Sequence, residues 1–195
     1  MTTAAEVAKV LLRANQHPQR ILWFVALLRK EANLGPDDIV VVGGSAIEIY
    51  TAGGYVSGDI DLCGPAEILT PVLKRWGFEQ PGREWGRIDW GIVVDIVGRF
   101  PSGSMKLTRV VDTPHGPVRV GAVEDLILGR LALIKFWSEP QESVNARMLV
   151  RLPEVDWEYL EFRAKQENVA DLLRLLRRES RPGSRQGGLR RKTRR

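Results

Sequence analysis

Asp59 and Asp61 flank Ile60, and Leu62 follows them. In an extended chain, residues two apart share a face. This alternation therefore turns both carboxylates one way and sends Ile60 and Leu62 into a core. Two carboxylates held side by side repel each other. A hard divalent cation such as Mg²⁺ relieves the repulsion and keeps sites open for phosphate oxygens. Upstream, Gly43-Gly44-Ser45 follows the β-branched run Ile39-Val40-Val41-Val42. Glycines let backbone approach a ligand closely, and a helix opening at Ser45 aims free N–H groups and the positive end of its dipole at that ligand. Ser57 adds a small hydroxyl just ahead of the acids. A phosphate cradle at one strand end and a metal-binding pair on the next strand describe a site for a metal-bound nucleoside triphosphate. A third carboxylate, Asp95, stands in the apolar run Ile92 to Val97, where an acid is costly to bury without a partner or a metal. Asp89 competes for that role, but its surroundings, before Trp90-Gly91, read as a turn.

These groups need elements to hold them. Val7 to Asn15 and Arg20 to Asn33 read as amphipathic helices, with Pro18 breaking the first and opening the second and His17 helping to cap it. Residues 39–42 read as a short buried strand. Ser45 is placed to N-cap a helix from Ala46 to about Ala52, ended by Gly53-Gly54. Gly58 to Cys63 reads as a strand, Pro65 opens a helix that Gly77 terminates after Trp76, and Arg87 to Val97 holds one or two strands split at Gly91. Lys106 to Val111 and Val118 to Val120 suggest a hairpin. Past Gly121 the periodicity turns helical, over Val123 to Trp137, Trp157 to Ala164 and Val169 to Arg178. The expectation is an α/β (α+β) protein with a core over residues 1–120, a helical part over 121–179 and a tail over 180–195.

Among the 195 residues, no apolar run approaches the length that crosses a bilayer. The beginning of the chain lacks a basic stretch leading into an apolar one, so neither a signal peptide nor a membrane is expected. The single cysteine, Cys63, cannot form an internal disulfide or a thiolate cage and reads as core. Both features point to the cytoplasm. The net charge of +5 is uneven: residues 174–195 carry nine net positive charges, leaving a slightly acidic body. From Ser180 on, only Leu189 is apolar, so this basic segment is expected to be disordered. Its Arg190, Arg191, Lys192, Arg194 and Arg195 suit an RNA backbone. His115, in a Pro/Gly turn, reads as exposed, Trp23 as core, and the other tryptophans as too dispersed for a stacking platform.

The order Val42-Gly43-Gly44-Ser45, spacer 46–58, Asp59-Ile60-Asp61-Leu62 resembles the DNA polymerase beta-like nucleotidyltransferase superfamily. The nearest likeness is to its small bacterial and archaeal members, including the nucleotidyltransferase toxins of abortive-infection toxin–antitoxin systems. Val120 to Ile127 resembles the segment that opens their helical part. The resemblance covers roughly residues 38–150, and its specific part is the core motif. It implies a small mixed nucleotidyltransferase sheet flanked by helices, and transfer of NMP from an NTP to an acceptor hydroxyl on RNA, protein or a small molecule. It implies Mg²⁺, with Mn²⁺ as a substitute, held by Asp59, Asp61 and Asp95, and nucleotide held by Gly43, Gly44, Ser45 and Ser57. It also implies an antitoxin-like protein partner. The chain departs from the pattern at Tyr55, where relatives often carry Arg, at Arg130, where they often carry Lys, and at Asn145, where they often carry Asp. These departures define one alternative, a catalytically degraded member that acts as a nucleic-acid or protein binding module; a separate alternative is the toxin of a toxin–antitoxin pair.

Overall fold

The computed structural model describes residues 2–180. Its elements, in chain order, begin with helices α1 (Ala4–Leu11) and α2 (His17–Glu31). Strand β1 (Val40–Val41), helix α3 (Gly43–Tyr50), strand β2 (Ile60–Cys63) and helix α4 (Ala66–Arg75) follow. Next come β3 (Trp85–Arg87), a 3₁₀ turn over Ile88–Trp90, β4 (Ile92–Gly98), β5 (Arg109–Val111) and β6 (Val118–Val120). Helices α5 (Val123–Phe136), α6 (Glu142–Leu149), α7 (Trp157–Gln166) and α8 (Ala170–Glu179) complete the described chain. The result is a mixed α/β fold. The six strands form one sheet in the order β3-β4-β2-β1-β6-β5. β1 runs antiparallel to β2 and parallel to β6, while β2 and β4 are parallel.

The sheet centre explains the apolar run that precedes the glycines. Ile39, Val40 and Val41 are all buried, as expected of a strand covered on both faces. Helix α2 buries Phe24 through Leu28 without a polar break, so it is covered on every side rather than along one stripe. Phe24, Trp76, Phe78 and Trp90 meet in tilted and edge-on pairs with centroids 5.7–6.4 Å apart. Two of the tryptophans that look scattered in the chain, Trp76 and Trp90, thus converge in the core. One hydrophobic cluster runs from Val7 to Leu176. It includes α5 through α8, and Gly121 at the junction donates its N–H to the Val41 carbonyl at 2.8 Å.

Several expected boundaries shift for identifiable reasons. α1 starts at Ala4 because Thr3 and Glu6 form a reciprocal capping box. α3 starts at Gly43, with extended Val42 as its N-cap, so Ser45 lies inside the first turn and does not cap the helix. Gln16, not His17, is the N-cap of α2. Helix α6 has no counterpart in the periodicity; Pro140 and Glu142 are its only local signs of a helix start. The basic segment with Arg190, Arg191, Lys192, Arg194 and Arg195 lies outside the described residues. Among the described residues, no helix is long and apolar enough to cross a membrane.

Leu62 is fully buried beneath the acidic strand. Leu62→Ala is expected to lower stability by about 3 kcal/mol with an unchanged urea m-value. A loss below about 1 kcal/mol in urea titration would mean that the sheet does not rest on this side chain.

Candidate active site

The site is built where β1 turns into α3. Gly43 has φ +57°, and a Cβ there would lie 1.9 Å from Asp61 Oδ2 and 2.9 Å from Asp61 Cβ. Glycine is required twice, by the left-handed backbone and by the approach of β2. A Cβ on Gly44 would lie 2.6 Å from Ser57 Oγ and 3.3 Å from the Tyr55 hydroxyl. The first turn of α3 is thus pressed between Asp61 on one side and Ser57 with Tyr55 on the other. Gly44 N–H donates to Asp61 Oδ2 at 3.0 Å. Ser45 Oγ donates to the Val42 carbonyl at 3.1 Å and accepts from Asp61 N–H at 3.2 Å. Ser45 is fully buried, so it stitches α3 to β2 beneath the cradle instead of facing a nucleotide.

Ser57 is held from behind. Its N–H donates to Glu48 Oε2 at 2.7 Å, and its hydroxyl donates to Asp59 Oδ1 at 3.3 Å. Glu48 is wholly buried on α3, and its other oxygen shares a 2.6 Å hydrogen bond with His17 Nδ1 at the start of α2. Ser45 and Glu48 have the spacing of a capping box. That local reading misleads, because the carboxylate serves residues 31 positions back and 9 positions on. This positioning pair, His17 and Glu48, was not legible as such; its one signal is an acid on an otherwise apolar helix.

Asp61 follows the strand geometry. In β2, Ile60 and Leu62 are buried while Asp61 is half-exposed on the other side, and Asp59 sits one residue before the strand. Asp95 on β4 is the Cα partner of Asp61 in the parallel register, so its side chain rises from the same face. Burial first, and then the neighbouring charge of Asp59, push the Asp61 carboxyl above its ordinary range. The Gly44 N–H and the guanidinium groups of Arg130 and Arg83 act in the opposite direction. Asp95 is 1% exposed. Its carboxylate is gripped by Arg83 through Nη2 and, at 3.2 Å, through Nε. Among the described residues, no group of three or more His, Cys, Asp or Glu stands ready to hold a metal. The charge of Asp59 reaches Asp61, two carboxylates being a number that suits a divalent cation, and Gly43 beside them lines a cavity. Asp95 is committed to Arg83. Asp89 lies apart, on the 3₁₀ turn and paired with Arg87 at 2.9 Å.

Tyr55, Arg130 and Asn145, the three departures from the superfamily pattern, are neighbours in space. The Tyr55 hydroxyl is pushed up by burial, with Arg130, Glu142, Asp59 and Asp61 all close enough to act on it. Arg130 pairs with Glu142 at 3.4 Å, and Asn145 Nδ2 donates to the same carboxylate at 2.8 Å. Arg130 Nε is buried without a hydrogen-bond partner. Arg130 and Gly43 both line a cavity of about 460 Å³. Residues 100–104 form another wall. Asp125 on α5 anchors it by accepting from Ser104 N–H at 2.8 Å and from the Tyr159 hydroxyl at 2.9 Å. The volume is in the range of small-molecule sites. His115 is not simply exposed, because it packs edge-on against Trp23 with centroids 5.0 Å apart. Trp23 is partly buried against the core, and Cys63 is buried.

No protein-family model matches this chain, and no curated protein sequence matches it.

The raised Asp61 carboxyl has a thermodynamic consequence. Its folded value lies above its unfolded one, so folding carries a penalty at neutral pH. That penalty fades as pH falls through the folded value toward the unfolded one. Asp61→Asn can still accept from Gly44, and it is expected to stabilise the metal-free protein at pH 7 by on the order of 1 kcal/mol. Thermal melts of both forms should show the gain shrinking toward pH 4. A less stable variant at pH 7 would show that the carboxylate charge supports the fold.

Proposed function

We propose that the chain is a nucleotidyltransferase that moves NMP from an NTP to an acceptor hydroxyl. The observation that carries this reading is the contact of the Gly43-Gly44 turn with Asp61, with Asp59 beside it and Asp95 across on β4. A glycine cradle and carboxylates on adjacent strands are what triphosphate transfer asks of a protein. The strand order, with β2 between antiparallel β1 and parallel β4, supports the resemblance drawn from the motif.

Asp59 and Asp61 would hold Mg²⁺, or Mn²⁺ in its place, and Asp95, the register partner of Asp61, would join them once Arg83 leaves it. Such an ion neutralises phosphate charge and lowers the pKa of an attacking hydroxyl. The protein's own groups do the rest. The N-terminal end of α3 presents its dipole to the phosphates. Arg130, with one guanidinium nitrogen unpartnered, faces the same cavity as a fixed positive charge. Ser57 orients Asp59, and Glu48 with His17 fixes Ser57. The acceptor oxygen forms its bond to the α-phosphorus as the bond to pyrophosphate breaks, and Asp95, once free of Arg83, takes the acceptor proton. Orientation and preorganised charge supply most of the acceleration. The cytoplasm, rich in nucleoside triphosphates and reducing toward Cys63, is the setting for this chemistry.

The test offers each α-labelled NTP with Mg²⁺ and total RNA, protein extract or small hydroxyl compounds. Label is expected in one acceptor class, and Asp59→Asn is expected to lower the rate at least about 100-fold. Transfer that survives Asp59→Asn would defeat the proposed site.

A second reading, a nucleic-acid binding module, draws on a groove of about 380 Å³ between α7 and α8. Lys165, Arg174, Arg177 and Arg178 line it over Leu173. Arg177 pairs with Glu161 and stacks on Trp157 at 4.4 Å. The chain after this helix continues with arginines. The chemistry suits an RNA backbone, either as acceptor or as the whole purpose. Arg174→Ala combined with Arg178→Ala is expected to weaken binding of a generic RNA and to reduce the salt slope by about two. An unchanged slope in fluorescence-anisotropy titrations would remove the groove from RNA binding.

A further inference from the structure

The Asp95–Arg83 pair, which the transfer mechanism needs opened, is lopsided. The Asp95 side chain is 2% exposed and the Arg83 side chain 76% exposed. Arg83 belongs to an exposed stretch, residues 79–84. Its base is closed by reciprocal backbone hydrogen bonds between Glu79 and Gly86 at 2.8 and 2.9 Å. At the tip, Gln80 Nε2 donates to the Arg83 carbonyl at 3.0 Å. The backbone beneath Arg83 is therefore tied down, while most of its side chain stands in solvent.

We propose that Arg83 is a latch, an internal cation that occupies the divalent-cation seat shared by Asp95 and Asp61 until a metal ion arrives with nucleotide. This inference rests on the nucleotidyltransferase reading. Asp61 and Asp95 are register partners on adjacent strands, and like charges in a half-dry site need a counter-charge. Arg83 supplies it to Asp95 by direct contact. Its positive charge also reaches Asp61. Swinging the guanidinium outward moves a side chain that is already mostly exposed. It does strip a buried carboxylate of its partner, which is strongly unfavourable unless another cation takes the place. Latch and metal are thus mutually exclusive on Asp95, and each weakens the other by the same factor. The freed guanidinium has a fork that fits phosphate as well as carboxylate. The incoming triphosphate therefore offers it a second seat, and metal and nucleotide are expected to enter together.

The experiment measures Mn²⁺ binding to the nucleotide-free full chain by electron paramagnetic resonance. It compares wild type, Arg83→Gln, Arg83→Lys, and Arg83→Gln combined with Asp95→Asn. Arg83→Gln is expected to bind Mn²⁺ at least tenfold more tightly than wild type. Arg83→Lys, which keeps the charge and loses the fork, should fall between them, and adding Asp95→Asn should erase the gain. Equal or weaker binding by the Arg83 variants, with wild type binding Mn²⁺, overturns the latch and leaves the metal site standing. Absence of Mn²⁺ binding in every form overturns both. If melting curves show Arg83→Gln unfolded, Arg83→Lys decides: tighter binding than wild type supports the latch, and unchanged or weaker binding overturns it.

Discussion

The site depends on how closely the β1–α3 turn approaches β2. Asp61 occupies the space where a side chain on Gly43 would stand, and three hydrogen bonds seal the contact. Two of these join α3 to Asp61, through Gly44 N–H and Ser45 Oγ, and in the third Val42 N–H donates to the Asp61 carbonyl at 3.0 Å. Widening the gap by one methyl group would separate the positive end of α3 from the carboxylates. The glycines are therefore as much part of the acidic site as the acids, because they decide how near the phosphates and the carboxylates can be brought.

A second constraint is charge. Asp61 and Asp95 are register partners on adjacent strands, with Asp59 just before β2, and fixed cations answer them from two sides. Arg83 grips Asp95 from the β3 edge, and Arg130 acts on Asp61 and Tyr55 from α5. Arg130 is itself shared with Glu142 and, through it, with Asn145. Tyr55, Arg130 and Asn145 read as separate departures along the chain. In space, Tyr55 lies beside an Arg130–Glu142–Asn145 network that faces the carboxylates. A set of residues that answer one another in charge and hydrogen bonding behaves as a unit.

What the chain disclosed in advance follows physical range. The period-two pattern of Asp59 to Leu62 fixed the facing of Asp61, because alternation is a property of the strand alone. Asp95 was legible because an acid in an apolar run needs a partner; that the partner is Arg83 was not, since it comes from a solvent-exposed turn without periodicity. Ser45 was misread as a cap because helix-start rules weigh side chains, whereas this helix opens on two glycines held by a neighbouring strand. The roles of Glu48 and His17 were invisible because their bond joins α3 to α2 across 31 residues. Local patterns thus carried the strand and the acids, while side-chain pairings between distant segments required the fold.

Strand β1 is two residues long, yet it lies between β2 and β6, whose paired residues extend to Val120. Hydrogen bonding on both of its edges must wait until that distant segment is available. During synthesis, more than half of the 195-residue chain must emerge before the strand leading into Gly43 is enclosed. Pairings so far apart in sequence slow folding, because the loop-closure entropy is lost before the contact is gained. The glycine turn therefore meets Asp61 across a short loop, while the strand that leads into it is enclosed on its other edge only by a segment far along the chain.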